Sequence, residues 1–179
     1  MMNDVIWMKM KDIDFKILSG LMKNSKISDR KLAGSIGVSQ PTVTRRRAKM
    51  EKELSFEYTV IPDLSKLGME ILVFHFVQWK PEYTHIQAKD LHKKLDKFLS
   101  DHPNFIFIST GQGLGMSRIA ISIHKNYSQY VIFITEFREK WSQHAAKDDT
   151  FIVSLKGDRA RRPLTFKYLA DYIKSVHNL

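Results

Sequence analysis

Cysteine is absent from all 179 residues. That removes disulfides, thiolate metal sites and cysteine nucleophiles together. Long apolar runs are missing too. The longest, Ile71–Val77, is interrupted by His75 and falls far short of the roughly 20 residues a helix needs to cross a bilayer. The amino terminus, M-M-N-D-V-I-W-M-K-M-K-D, lacks the apolar stretch of a signal peptide. No membrane partner is expected, and the chain reads as cytoplasmic. The seven histidines, at 75, 85, 92, 102, 124, 144 and 177, form no H-x-x-x-H or H-E-x-x-H pair, so neither a metal nor a cofactor is expected. Asn126-Tyr127-Ser128 is a formal glycosylation sequon, but no secretory signal accompanies it. Internal repeats and low-complexity tracts are also lacking.

What is present begins with apolar material and positive charge. Hydrophobic residues make up 43% of the chain, enough for a buried core. The formal net charge is +10. Residues 1–60 carry 12 Lys and Arg against 7 Asp and Glu, and residues 61–179 carry 17 against 12. Each part is +5, so the first third is about twice as basic per residue. A polyanion suits such an asymmetry, because phosphate contacts release counterions.

The basic third has a pattern. Asp12 is the expected N-cap of a first helix bearing Ile13, Ile17, Leu18 and Leu21, broken by Asn24-Ser25. Ser28 caps a second helix with Leu32, Ala33 and Ile36 inside, and Gly37 stops it. Ser39 opens a third helix with Pro41 in its first turn and Val43, Met50 and Leu54 as its inner stripe. Two short helices around a glycine-bearing turn, the second polar and basic, make a helix-turn-helix. With Val43 facing inward, Pro41, Thr42, Arg45, Lys49 and Lys52 face outward at 100° per residue, and Thr44 and Arg46 lie on the flanks. The expected DNA-contacting set is Ser39, Gln40, Thr42, Thr44, Arg45, Arg46, Arg47 and Lys49. Arg45 and Thr42 sit at the groove-entering end, where Arg reads guanine edges and Thr the thymine methyl.

Phe56–Ile61 reads as a short strand, and Pro62-Asp63 as a linker. Beyond it the periodicity changes. Strands are expected at 69–79, 105–109, 118–124 and 151–155, and helices at 86–99 and 127–141 with stripes of Ile86, Leu91, Leu95, Phe98 and Leu99, and of Tyr130, Val131, Ile134, Phe137 and Trp141. This β-α-β-β-α-β order is ferredoxin-like. A basic turn, K-G-D-R-A-R-R-P, leads to a last helix at 164–176; Lys156, Arg159, Arg161 and Arg162 there form either a second phosphate-contacting patch or a solvated loop. The fold class is thus α+β: a winged helix-turn-helix at 1–61, a ferredoxin-like domain at 62–155, and a carboxy-terminal basic turn and helix at 156–179. The first strand is apolar on both sides, with Ile71, Val73, Val77 and Trp79 on one and Leu72, Phe74 and Phe76 on the other. Two helices cover one side only, so a second subunit is expected on the other.

D-I-D-F-K-I-L-S-G-L-M-K-N-S-K-I-S-D-R-K-L-A-G-S-I-G-V-S-Q-P-T-V-T-R-R, followed by Pro62-Asp63-Leu64-Ser65-Lys66-Leu67-Gly68, resembles the Lrp/AsnC, or feast/famine, family of prokaryotic regulators. The resemblance implies a winged-helix DNA-binding domain and a ferredoxin-like domain that dimerises through its sheet, often assembling further to tetramers or octamers. It implies a transcription regulator, not an enzyme, acting on double-stranded DNA in the nucleoid. This chain departs from the family in three places. Leu54-Ser55-Phe56 stands where the family has Gly followed by two apolar residues. Arg47 stands where an apolar residue is expected. The family's effector loop, a Gly-Asp-aromatic-Asp pattern, is replaced by Thr110-Gly111-Gln112-Gly113-Leu114-Gly115-Met116 without an acidic group. Thr110, Gly111, Gln112, Gly113 and Gly115 are the candidate effector-loop residues, and a flexible hairpin is the competing reading. An amino acid's ammonium needs acidic or carbonyl partners, so amino-acid sensing is not expected there. Two other functions fit the layout. Sirohaem decarboxylases resemble it, with His75, His124 and Arg118 as donors, and a chromosome-coating architectural protein would share the basic first half.

Overall fold

The computed structural model describes residues 10–80, 85–157 and 164–177, with 85–89 as backbone. By proximity the chain divides into two units, one of residues up to 61 together with the last helix, the other of residues 62 to 161.

The first unit holds α1 (Asp12–Lys23), α2 (Asp29–Ile36) and α3 (Gln40–Glu53). Ile17, Leu21, Leu32, Ala33, Val43 and Met50 are buried together, and Ile13, Ile36, Leu54 and Phe56 pack around them. The N-cap of α1 is Lys11, one residue before the Asp12 expected. Asp14 explains the shift, since its carboxylate accepts the Lys11 N–H at 2.9 Å and satisfies an otherwise orphaned donor. The expected strand at 56–61 is not formed. A strand needs a partner, and among the described residues none pairs with this segment. It leaves α3 through a Schellman turn: Ser55 is left-handed at φ 49° and the Phe56 N–H reaches the Glu51 carbonyl at 3.3 Å.

The last helix, α6 (Lys167–Val176), is part of this unit. Ala170 is fully buried, the His177 ring stacks on Phe15 at 3.7 Å, and Lys23 pairs with Asp171. Its start lies three residues after the expected Leu164. Arg159, Arg161 and Arg162 of the basic lead-in lie outside the described residues, and Lys156 pairs with Glu70 at 2.7 Å.

The second unit is a four-stranded antiparallel sheet in the order β2-β3-β1-β4, with β1 (Ile71–Trp79), β2 (Phe105–Gly113), β3 (Met116–His124) and β4 (Ala145–Ser154), and with α4 (His85–Asp101) and α5 (Tyr127–Trp141) in the crossovers. This is the ferredoxin-like arrangement expected. α5 opens on Asn126, whose side chain accepts the Gln129 N–H at 2.9 Å, so the residue of the apparent sequon is a helix cap. β4 starts six residues earlier than its apolar run implies. Lys147, Asp148 and Asp149 pair with Gln78, Val77 and Phe76, and charge is ordinary on an edge strand. Ile71, Val73, Phe98, Tyr130, Phe133, Ile134 and Trp141 form the core between the sheet and its helices; Ile86 of the expected stripe is among the residues described as backbone only.

The two sides of the sheet differ as β1 predicts. Leu72, Phe74 and Phe76 lie opposite Ile123, Ile121 and Ile119 of β3, and Phe151 and Phe107 extend the same side across β4 and β2. Phe151 is 63% exposed and Phe107 49%. Among the described residues, no helix of this unit covers that side.

Candidate nucleic-acid interface

The helix-turn-helix is built by short-range chemistry. Ser28 Oγ accepts the Lys31 N–H at 3.3 Å and caps α2. Gly37 ends it in the left-handed region, at φ 82°, where a side chain costs about 1–2 kcal/mol. The Gly37 and Val38 N–H groups both return to the Ala33 carbonyl, at 2.9 and 3.1 Å. The chain then re-enters a helix at Ser39 with Pro41 in the first turn. Val43 is completely buried, which sets the inward line of α3 where the 3.6-residue period puts it.

The acid that begins α2 holds α3 in place. Asp29 accepts the Thr44 hydroxyl at 2.7 Å on one oxygen and an Arg47 N–H at 3.1 Å on the other. Arg47 also donates to Glu51 at 2.9 Å and to the Tyr58 hydroxyl at 3.2 Å, with its guanidinium 5.3 Å from the Tyr58 ring centre. The Tyr58 hydroxyl in turn donates to Glu51 at 2.5 Å. Burial alone would lower the Arg47 pKa, but the bonds to Glu51, Tyr58 and Asp29 outweigh it and raise it. The Tyr58 and Arg47 hydrogen bonds hold Glu51 below the usual carboxylate range. Arg47 thus occupies an expected apolar position by bringing its own counter-charges.

Arg46 is turned inward. One guanidinium nitrogen donates to both Asp14 oxygens, at 2.8 and 3.0 Å, and the pair is 19% and 11% exposed. The flank position read from the helical wheel is correct, but the side chain ties α3 to α1. Asp14 therefore caps one helix and anchors another.

The remaining members of the expected set face solvent. Gln40, Arg45 and Lys49 are exposed. Arg45 makes no ion pair or hydrogen bond among the described residues, and Lys49 has only a loose 3.7 Å contact with Glu53. Ser39 and Thr42 share a hydrogen bond at 2.8 Å between their hydroxyls, so the Ser39 side chain is directed to Thr42 instead of capping α3. Ser39, Gln40, Arg45 and Lys49 are exposed with Thr42 half-buried among them, and Thr44 is exposed as well although its hydroxyl is bonded to Asp29.

The effector-loop candidates form a β-hairpin. β2 continues through Gly113, β3 begins at Met116, and Leu114-Gly115 make a two-residue turn with φ of 54° and 69°, as a type I′ turn requires. Thr110, Gly111, Gln112, Gly113 and Gly115 are all exposed on it. Of the alternative donors of an enzyme reading, His75 and Arg118 line one narrow cleft between the sheet and α4, and His124 does not. His75 and His124 are buried, each hydrogen-bonded to Ser122 Oγ, at 2.7 and 2.8 Å. Burial pushes His75 down to about 4 and also lowers His124. Among the described residues, no group of three His, Asp or Glu side chains could hold a metal ion, and no helix is long and apolar enough to cross a membrane.

Residues 10–51 match the AsnC-type helix-turn-helix domain. The HTH-type transcriptional regulator LrpC of Bacillus subtilis (strain 168) is 37% identical over 65 residues, which are 36% of this chain and 45% of that protein. The chain therefore matches less than half the length of that relative. Solved structures share the fold over nearly their whole length. An AsnC family transcriptional regulator from Agrobacterium tumefaciens superposes with a TM-score of 0.69 at 18% identity, covering 89% of this chain and 99% of that one. A transcriptional regulator from Neisseria meningitidis, in complex with L-Met, gives 0.70 at 14% identity with the same coverage.

Proposed function

We propose that this chain, with an AsnC-type helix-turn-helix at residues 10–51 and the fold of Lrp/AsnC structures, is a sequence-specific transcription regulator that binds double-stranded DNA as a homodimer. The observation that carries the reading is α3: a helix clamped at its back by Asp14 and Asp29 that leaves Ser39, Gln40, Arg45 and Lys49 toward solvent. A recognition helix needs that combination, because base readout requires a rigid frame and free side chains at its amino-terminal end. Arg45 reads a base edge, and Lys49 meets phosphate. Thr44, Arg46 and Arg47 serve the same surface indirectly, by fixing the angle of α3 against α2 and α1.

One side of the sheet supports the homodimer. Phe74, Phe76, Ile119, Ile121 and Ile123 are half-buried on one side of the sheet, and Phe107 and Phe151 are exposed beside them; soluble monomers seldom leave so continuous an apolar surface in water. A two-fold pairing of these sides covers them and supplies the two recognition helices that a palindromic operator needs. Assembly to tetramers or octamers, a cytoplasmic place on the nucleoid and a non-enzymatic role complete the proposal. Selection of bound sequences from a random duplex pool tests it. A palindrome with half-sites one helical turn apart, or a multiple, is the expected result. Binding without sequence preference would favour an architectural protein instead.

A further inference from the structure

The polar side chains of α3 divide into those already engaged and those left free. The Thr44 hydroxyl is held by Asp29 at 2.7 Å. Arg46 is engaged by Asp14, and Arg47 by Asp29, Glu51 and Tyr58. Ser39 and Thr42 share one hydrogen bond between their hydroxyls at 2.8 Å, so one of the two protons is already committed. Gln40 and Arg45 are exposed and make no hydrogen bond or ion pair among the described residues. Lys49, a turn beyond Arg45, has only the loose 3.7 Å contact with Glu53.

Gln40 and Arg45 have one chemical property in common. Each ends in a planar group that makes two hydrogen bonds in one plane. These are the side chains that pair with purine edges in the major groove: an amide fits adenine N6 and N7, and a guanidinium fits guanine O6 and N7. Position agrees with chemistry. Gln40 is the first residue of α3, at the end by which a recognition helix enters the groove. Arg45 follows about 7.5 Å along the axis, at 1.5 Å per residue. A helical side chain leans back over the preceding turn, which brings the guanidinium toward the amide. Base pairs are stacked about 3.4 Å apart, so the two ends reach edges within about two base pairs of each other.

We propose that each half-site of the operator carries an adenine read by Gln40 and, within about two base pairs of it, a guanine read by Arg45. Lys49, a compact point charge without a planar fork, meets phosphate and adds no base preference. This base code rests on α3 being the recognition helix of a sequence-specific regulator, and it names the two positions that such a regulator selects. The clamps at the back of α3 are part of it, because Asp14 and Asp29 fix the helix while the two readers keep their hydrogen-bonding groups free.

The test is selection of bound duplexes from a random pool by the full-length protein, repeated with Gln40→Ala, Gln40→Glu and Arg45→Ala. Affinities for the selected palindrome and its single-base variants are then read by fluorescence anisotropy. The unaltered chain should enrich half-sites that hold both purines. Gln40→Ala should lose preference at the adenine alone and Arg45→Ala at the guanine alone, each by about 5- to 150-fold, as loss of one bidentate contact gives. Gln40→Glu should move the first preference from adenine to cytosine, because a carboxylate accepts from the cytosine amino group. Neither side chain has a partner among the described residues, so melting temperatures should not fall, which separates base readout from folding. A palindrome lacking either purine, or base preferences that survive Gln40→Ala or Arg45→Ala unchanged, would overturn the base code and leave the regulator reading standing. Enrichment of no sequence at all would overturn both.

Discussion

Three successive arginines, Arg45, Arg46 and Arg47, have the same charge and three different surroundings, and their substitutions should separate accordingly. Arg45→Ala should cost about 1–3 kcal/mol on specific DNA and relax preference at one base pair per half-site, read by fluorescence anisotropy. Lys49→Ala should weaken all sequences alike and reduce the salt slope by about one. Arg46→Ala should instead lower stability, by about 3 kcal/mol, because it strands a largely buried Asp14 carboxylate; urea unfolding measures it. A DNA defect for Arg46→Ala with wild-type stability would return that side chain to the interface. His75 makes a pH prediction. Its folded pKa of about 4 lies below the unfolded value of about 6.5. The unfolded chain therefore takes up the proton first as pH falls, and the stability contributed above about pH 6.5 is lost between there and about pH 4. Unfolding free energy should drop by about 2 kcal/mol from pH 7.5 to pH 5 on this account, and by less in His75→Gln.

Single elements carry their own tests. The turn after α3 places Ser55, a residue with a side chain, in the left-handed region. Ser55→Gly should stabilise the first unit by about 0.5–1 kcal/mol, since glycine adopts that conformation without a side-chain clash. A lower melting temperature for this variant would mean that the Ser55 side chain has a favourable role that outweighs its strain. The hairpin at Leu114-Gly115 is exposed and has no acidic residue from Thr110 to Met116. A panel of the twenty amino acids should give no saturable thermal shift; a ligand at 100 times its Kd would add about 2.7 kcal/mol and be seen readily.

For the whole molecule the decisive quantity is which side of β1 meets a second copy. Val73 is fully buried in the unit's own core, whereas Phe74 lies on the uncovered side with Ile121 and Phe151. Phe74→Glu should yield a folded monomer with lost DNA affinity, and Val73→Glu should unfold the second unit. Light scattering joined to circular dichroism distinguishes them. A stable wild-type monomer at micromolar concentration would defeat the dimer.

Local chemistry made much of this protein legible without coordinates. The helix-turn-helix depends on neighbours a few residues apart: Ser28 caps through Lys31, Gly37 turns because it has no side chain, and Val43 faces inward by period alone. The two-sided apolarity of β1 follows from strict alternation, and so did the expectation of a partner. Longer-range pairing decided the rest. Asp14 and Asp29 claim Arg46, Thr44 and Arg47 across 15 to 32 residues of sequence, a choice between protein and phosphate that a helical wheel cannot make. β4 extends through charged residues because β1 offers it hydrogen bonds, and Phe56–Ile61 is not a strand because nothing among the described residues does. α6 reads only as an amphipathic helix until Phe15 and Lys23 show where it packs.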